Sequence, residues 1–145
     1  MLRNGDNMNH YTFEELTVGL SESFQTIITE KMMEQFRQIT GDVNPLHQDI
    51  EFARANGFPG QVAFGMLSAS FLSTLAGVYL PGEKSLIHSV EVKFVKPVLV
   101  GDELTVQGTV AQRNEDFHFI VVKVMITNQA GVKVLRGRMQ IGVME

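Results

Sequence analysis

The run Gly41-Asp42-Val43-Asn44-Pro45-Leu46-His47-Gln48-Asp49 places a carboxylate and an imidazole on either side of a turn. Pro45 fixes its own φ and pushes Asn44 away from helical conformation, so the turn can hold Asp42 and His47 in a set relation. A carboxylate near an imidazole can share one water molecule. The carboxylate accepts a proton as general base. The imidazole, which titrates near neutrality, orients the water or returns a proton. The same residues also suit plain structure: Asp after Gly and Asn-Pro are ordinary turn chemistry, and His47 fits a surface or a hydrogen-bonded core position.

A second chemically capable group belongs to the backbone. Gly65 follows a loop punctuated by Gly and Pro (57–64, GFPGQVAF) and opens an uncharged helical stretch. A glycine at the start of a buried helix leaves its N–H unpaired and aimed along the axis. That N–H is a donor for an oxygen gaining negative charge, and the helix dipole assists it. Packing explains Gly65 as well, because Gly65, Ala69, Ser73 and Gly77 recur as a small-residue stripe.

These groups need elements to position them. Residues 21–28 form a first, short strand. Thr29 is suited to cap a helix in which Met32, Met33, Phe36 and Ile39 recur at helical spacing, closed by Gly41. A short helical piece over Asp49–Asn56 stops at Gly57. The helix Gly65–Leu80, ended by Pro81-Gly82, carries Leu67, Phe71, Leu75 and Val78 on its bulky face and must lie inside something that wraps it. Strand follows to the end. Val90, Val92 and Phe94 alternate with polar residues, as do Leu104, Val106 and Val110, and 117–127 reads as a buried strand. In the last strand the apolar phase changes from Val132 and Val134 to Leu135, Met139, Ile141 and Val143, which predicts a bulge near Leu135. The expected class is α+β: one domain over 1–145, an antiparallel sheet curved around a long central helix in the hot-dog manner, with 1–10 loosely ordered. A sheet of this kind leaves an open edge, so a homodimer is expected.

Composition narrows the function classes. The chain has 145 residues, 12 Lys+Arg against 16 Asp+Glu, and a formal net charge of −4. An acidic chain without a basic block is a poor nucleic-acid binder. No cysteine is present, which removes disulfides, thiolate metal sites and Cys nucleophiles. His10, His88 and His118 show no metal-ligand spacing with His47, so no metal is expected, and His88 and His118 fall in strand patterns. Residues 1–10 lack the apolar core of a targeting segment, and a cytoplasmic location is expected. Ala55 to Gly82 holds no Asp, Glu, Lys or Arg, but Ser68, Ser70, Ser73 and Thr74 interrupt it, so it reads as a core helix and not a membrane span.

The run from Gly41 to Asp49 resembles the signature of the MaoC-like, or R-specific enoyl-CoA hydratase, family. Phe64 to Ser70 (FGMLSAS) resembles that family's entry into the hot-dog helix, and Val92 to Asp102 its next strand and turn. The resemblance implies addition of water to a trans-2-enoyl thioester of coenzyme A or acyl carrier protein, giving the R-3-hydroxyacyl product, or the reverse. It implies that Asp42 and His47 hold and activate the water and that the Gly65 N–H binds the thioester carbonyl as it becomes an enolate. Ser73 would support the Asp42 carboxylate, Asn44 would shape the loop, and Val62, Ala63 and Phe64 would line the substrate pocket. Ile50 stands where many members have Pro, and Phe64 where many have His.

No cofactor is expected beyond coenzyme A or carrier protein as part of the substrate. The coenzyme's phosphates call for cations, for which Lys93 and Lys96, with Arg136 and Arg138, are candidates. Two other readings fit the fold. A hot-dog thioesterase, or a dehydratase with a different site layout, would place a carboxylate on the central helix, and Gly65–Leu80 contains no Asp, Glu or His. A non-catalytic module would bind acyl thioesters without turnover.

Overall fold

The computed structural model describes residues 7–145. The first strand, β1, spans Ser21–Ile27. Helix α1, Glu30–Thr40, begins where the Thr29 hydroxyl accepts the Met32 N–H at 3.1 Å, and ends at Gly41, whose φ of +73° lets its own N–H reach the Arg37 carbonyl. Pro45–His47 form a single 3-10 turn. Helix α2, Ile50–Ala55, is capped by the Asp49 carboxylate, which accepts the N–H groups of Glu51 and Phe52. Helix α3, Gly65–Thr74, continues as a wider π-helical turn over Leu75–Tyr79.

Four strands complete the chain: β2 (Ser85–Phe94), β3 (Glu103–Asn114), β4 (Phe119–Thr127) and β5 (Lys133–Val143). With β1 they form one antiparallel sheet in the order β1-β3-β4-β5-β2. Strand alternation sends Leu104, Val106 and Val110, then Ile120, Val122, Val124 and Ile126, to the inner face, where α3 lies on them. Gly108 lets the helix settle close: a Cβ there would stand 2.9 Å from side-chain atoms of both Leu75 and Val122. This is the hot-dog fold.

The expected bulge is present. Ile126 pairs with Leu135 and Thr127 with Lys133, so Val134 is the extra residue and both Val134 and Leu135 are buried. Two expectations are corrected. The fourth strand begins at Phe119 and not at 117, because 115–118 form the hairpin turn, with Phe117 77 % exposed and His118 at φ 49°. His118 is therefore a turn residue, stacked on Phe13 and paired with Glu145. The central helix is not wrapped on all sides within the chain: Leu67, Leu72, Leu75 and Ala76 are buried, but Met66, Ser70 and Ser73 are exposed. Of the terminus expected to be loose, 1–6 lie outside the described residues. Asn9 and His10 are held: Asn9 exchanges backbone hydrogen bonds with Val78 and Glu83, and His10 pairs with the Glu83 carboxylate.

Candidate active site

The Asp42–His47 loop is built from local hydrogen bonds that its sequence encodes. The Asn44 N–H donates to Asp42 Oδ1 at 3.0 Å, and Asn44 Oδ1 accepts the Leu46 N–H at 3.0 Å. These two Asx turns seat the 3-10 turn that carries His47. Gln48 Nε2 ties the turn to the Val43 carbonyl at 2.7 Å, and Gln61 Nε2 ties it to the His47 carbonyl at 2.8 Å. Asn44 thus holds the loop through both of its Asx turns.

The His47 ring is set from two sides. Its Nδ1 lies 2.9 Å from the Val62 carbonyl oxygen. A carbonyl only accepts, so Nδ1 carries the proton and, in the neutral ring, Nε2 carries the lone pair. The ring lies against Phe64, centroids 4.4 Å apart, and Phe64 in turn meets Phe36 at 5.0 Å. Phe64 is buried and is among the residues that wall the groove beside His47.

Gly65 starts α3, and its N–H finds no acceptor among the described residues. Packing constrains it too: a Cβ at Gly65 would meet the Phe94 ring at 3.1 Å. Packing therefore accounts for a glycine here, and the same position leaves a helix-opening N–H without an acceptor.

These residues converge on a groove of about 810 Å³, whose walls include Asp42, His47, Phe64, Gly65, Met66 and Phe94. Among the described residues Asp42 Oδ2 and the Gly65 N–H carry no hydrogen bond, and no direct hydrogen bond joins Asp42 to His47. A carboxylate, an imidazole and a backbone donor facing one apolar space can hold water and a carbonyl oxygen at once. A smaller cavity of about 210 Å³ shares His47, Gly65 and Phe94 with the groove and is closed by Val62, Ala63 and Lys96. Ser68 is in its wall. It is the buried polar side chain among the described residues, and its hydroxyl has no hydrogen-bond partner.

Two expected site residues stand elsewhere. Ser73 lies two turns along α3, is exposed, and makes no hydrogen bond to Asp42 within the chain, because the helix turns it away from the loop. Lys93 points to the outer face of the sheet, whereas its neighbours Val92 and Phe94 line the groove. Phe36, Met66, Ser68 and Phe94 were not named as site residues from the sequence. Phe94 had a signal in the β2 alternation, but nothing local showed that its ring would cover Gly65.

Comparison with known proteins agrees with this geometry. Residues 16–132 match the model of the MaoC like domain. An (R)-specific enoyl-CoA hydratase of Rhodospirillum rubrum is 33% identical over 132 residues, covering 91% of this chain and 90% of its own. The R-hydratase PhaJ1 of Pseudomonas aeruginosa, solved without ligand, superposes with a TM-score of 0.87 at 30% identity, covering 92% of this chain and 85% of its own. The (R)-hydratase of A. caviae involved in PHA biosynthesis superposes with a TM-score of 0.86 at 31% identity, covering 90% and 98%. With its Asp–His loop, its helix-opening glycine and these matches along most of its length, the chain belongs to the MaoC-like domain family.

Proposed function

We propose that this protein reversibly adds water to a trans-2-enoyl-CoA thioester to give the R-3-hydroxyacyl thioester. The observation that carries the reading is the convergence of Asp42, His47 and the unpaired Gly65 N–H on one groove. The thioester carbonyl oxygen takes the Gly65 N–H, and water sits between the Asp42 carboxylate and His47 Nε2. Asp42 removes a proton from the water as its oxygen bonds C3. The C2=C3 electron pair moves toward the carbonyl, making an enolate whose oxygen the Gly65 N–H stabilises. Asp42 then returns the proton to C2. One well-placed oxyanion donor is worth about 3–4 kcal/mol, and acid–base assistance contributes roughly 10²–10⁴-fold. The steps draw on no metal or redox cofactor, because each is a proton transfer or a polar bond formation.

A homodimer completes the reading. Strand β2 is an edge of the sheet and carries exposed Leu86, Val90 and Phe94, 45–55 % accessible in the single chain. Val90 and Phe94 also line the groove, and Met66, 62 % accessible, faces it from the helix. Pairing β2 with the β2 of a second copy satisfies the edge and walls the groove. Among the described residues no helix is long and apolar enough to cross a membrane.

The test is loss of enoyl-thioester absorbance with crotonyl-CoA and longer trans-2-enoyl-CoA substrates, with chiral analysis of the product. Turnover to R-3-hydroxyacyl-CoA that disappears in Asp42→Asn is the expected result. Thioester binding without turnover on any of them would overturn the hydratase reading in favour of a binding module.

A further inference from the structure

Phe94 is a large apolar side chain that the core does not use. It is 51 % exposed, lies outside the buried cluster, and occupies the last position of β2. Its ring nevertheless meets Gly65. Three consecutive ring atoms approach the place a Cβ would take at that glycine: Cε1 at 3.1 Å, Cδ1 at 3.2 Å and Cζ at 3.5 Å. One edge of the ring therefore lies against the Gly65 backbone. A helical Cα–Cβ bond tilts toward the helix N-terminus, which is also where the N–H of a first residue emerges. The ring edge and the unpaired Gly65 N–H thus share one side of the first turn of α3.

Two sets of backbone hydrogen bonds hold this contact. Val134, the extra residue of the β5 bulge, accepts the N–H of Val95 at 2.8 Å and of Lys96 at 3.3 Å on its carbonyl. The strand end that carries Phe94 is fixed there, with Phe94 opposite the buried Leu135. Further along, the Val98 carbonyl accepts the Ala63 N–H at 2.8 Å, and Leu99 forms a bridge with Val62. This second set ties the segment after Phe94 to the segment before Gly65. Both backbones are pinned, so the half-exposed ring is brought to the glycine without being part of the core. The bulge is thereby part of the frame of the site.

We propose that Phe94 is a positioning residue for the hydration step: its ring edge keeps water from the Gly65 N–H, so that the thioester oxygen takes that donor in a dry setting. This role rests on the hydratase reading and adds to it the residue that conditions the oxyanion donor. A fixed N–H aimed at developing charge acts most strongly where water is excluded. The ring also gives residue 65 a reason to be glycine. Alanine would keep the N–H but press its methyl into the ring. Phe94 carries no proton to transfer and acts through Gly65.

The experiment compares the parent with Phe94→Ala, Phe94→Gln and Phe94→Leu in two assays. The first is hydration of crotonyl-CoA. In Phe94→Ala and Phe94→Gln, kcat should fall about ten-fold or more, a part of what loss of a whole oxyanion donor costs, with KM within about three-fold. Phe94→Leu, which restores apolar bulk, should recover most of kcat. The second assay reads the donor without turnover. Acetoacetyl-CoA ionises to an enolate that places charge on the thioester oxygen and absorbs in the ultraviolet. The parent should raise the enolate fraction of the bound thioester, and Phe94→Ala and Phe94→Gln should lower that enolisation equilibrium about ten-fold, with Phe94→Leu close to the parent. A fall in kcat with an unchanged enolate fraction makes Phe94 a packing residue and overturns the proposal. So does a rise in KM alone, or a loss that Phe94→Leu shares in full. If the hydratase reading fails, the parent turns over no enoyl thioester, yet the enolate fractions of parent and variants still decide whether Phe94 conditions the Gly65 donor.

Discussion

The two ends of the central helix handle polar groups in opposite ways. At its far end Asn9, Tyr11 and Glu22 are tied to one another and to the helix. Asn9 Nδ2 donates to the Tyr79 carbonyl at 2.8 Å and to Glu22 Oε1 at 3.3 Å, and Tyr11 donates its hydroxyl hydrogen to the same Glu22 oxygen at 2.6 Å. Gly82 turns beneath Asn9 with φ +95°, where a Cβ would lie 2.0 Å from the Asn9 carbonyl oxygen. At its start, the Gly65 N–H, the Ser68 hydroxyl and the Asp42 Oδ2 all lack partners and lie around connected cavities. Glu22 and Asp42 are both carboxylates near aromatic rings. Glu22 is occupied by hydrogen bonds within the fold, while Asp42 spends one oxygen on its own loop and offers the other. Open polar groups are costly unless a ligand completes them. The difference separates a clasp from the proposed reaction site.

The contrast predicts opposite outcomes for matched substitutions. The largest effect is expected from Asp42→Asn. Turnover should fall by about 10²–10⁴-fold, the scale of a general base, with thermal stability unchanged. A variant that kept most of its kcat would place the base elsewhere. His47→Ala should lose turnover on a similar scale. It should also lower stability by about 1 kcal/mol, because its bond to the Val62 carbonyl and its contact with Phe64 go with it. Urea denaturation beside steady-state kinetics separates the two components.

Glu22→Gln reverses the pattern. It should cost about 1–2 kcal/mol of stability, since the Tyr11 bond to a charged acceptor is replaced by a neutral one, and leave kcat within about two-fold. A large loss of kcat there would abolish the distinction between the ends. The smallest effect concerns pH. The hydrogen bond that Tyr11 donates to Glu22, with burial second, raises the Tyr11 pKa from 10.0 to about 12. A raised folded pKa stabilises fully below the unfolded value and is lost as pH climbs through the folded one. The stability difference between the parent and Tyr11→Phe should therefore hold steady up to pH 10 and shrink between pH 10 and 12. Denaturant midpoints across that range provide the check.

Residue types alone carried most of the scaffold. Thr29 and Gly41 bound α1, Asp49 caps α2, and the Asn44-Pro45 pair builds the loop, because each acts through hydrogen bonds to its own neighbours. The alternation in β3, β4 and β5 marked their buried faces, and the change of phase at Leu135 marked a real bulge. The chemistry of Asp42, His47 and Gly65 was equally visible as types and spacing. The resemblance turned that chemistry into an expected function.

Contacts between distant segments could not be read this way. Val62 accepts the His47 proton from 15 residues away, and the Phe94 ring covers Gly65 from the opposite edge of the fold. The uncharged stretch Gly65–Leu80 suggested a helix wrapped on all sides, but the sheet covers only one side, and Ser73 stays exposed away from Asp42. Lys93 and Lys96 looked like one group in the sequence. The strand's two-residue period and its end at Phe94 place Lys93 on the outer groove and Lys96 in the inner cavity. Local hydrogen bonding and periodicity are encoded where they occur. Which groups share a cavity depends on how the sheet curves over the helix, and that is set only when the whole core packs.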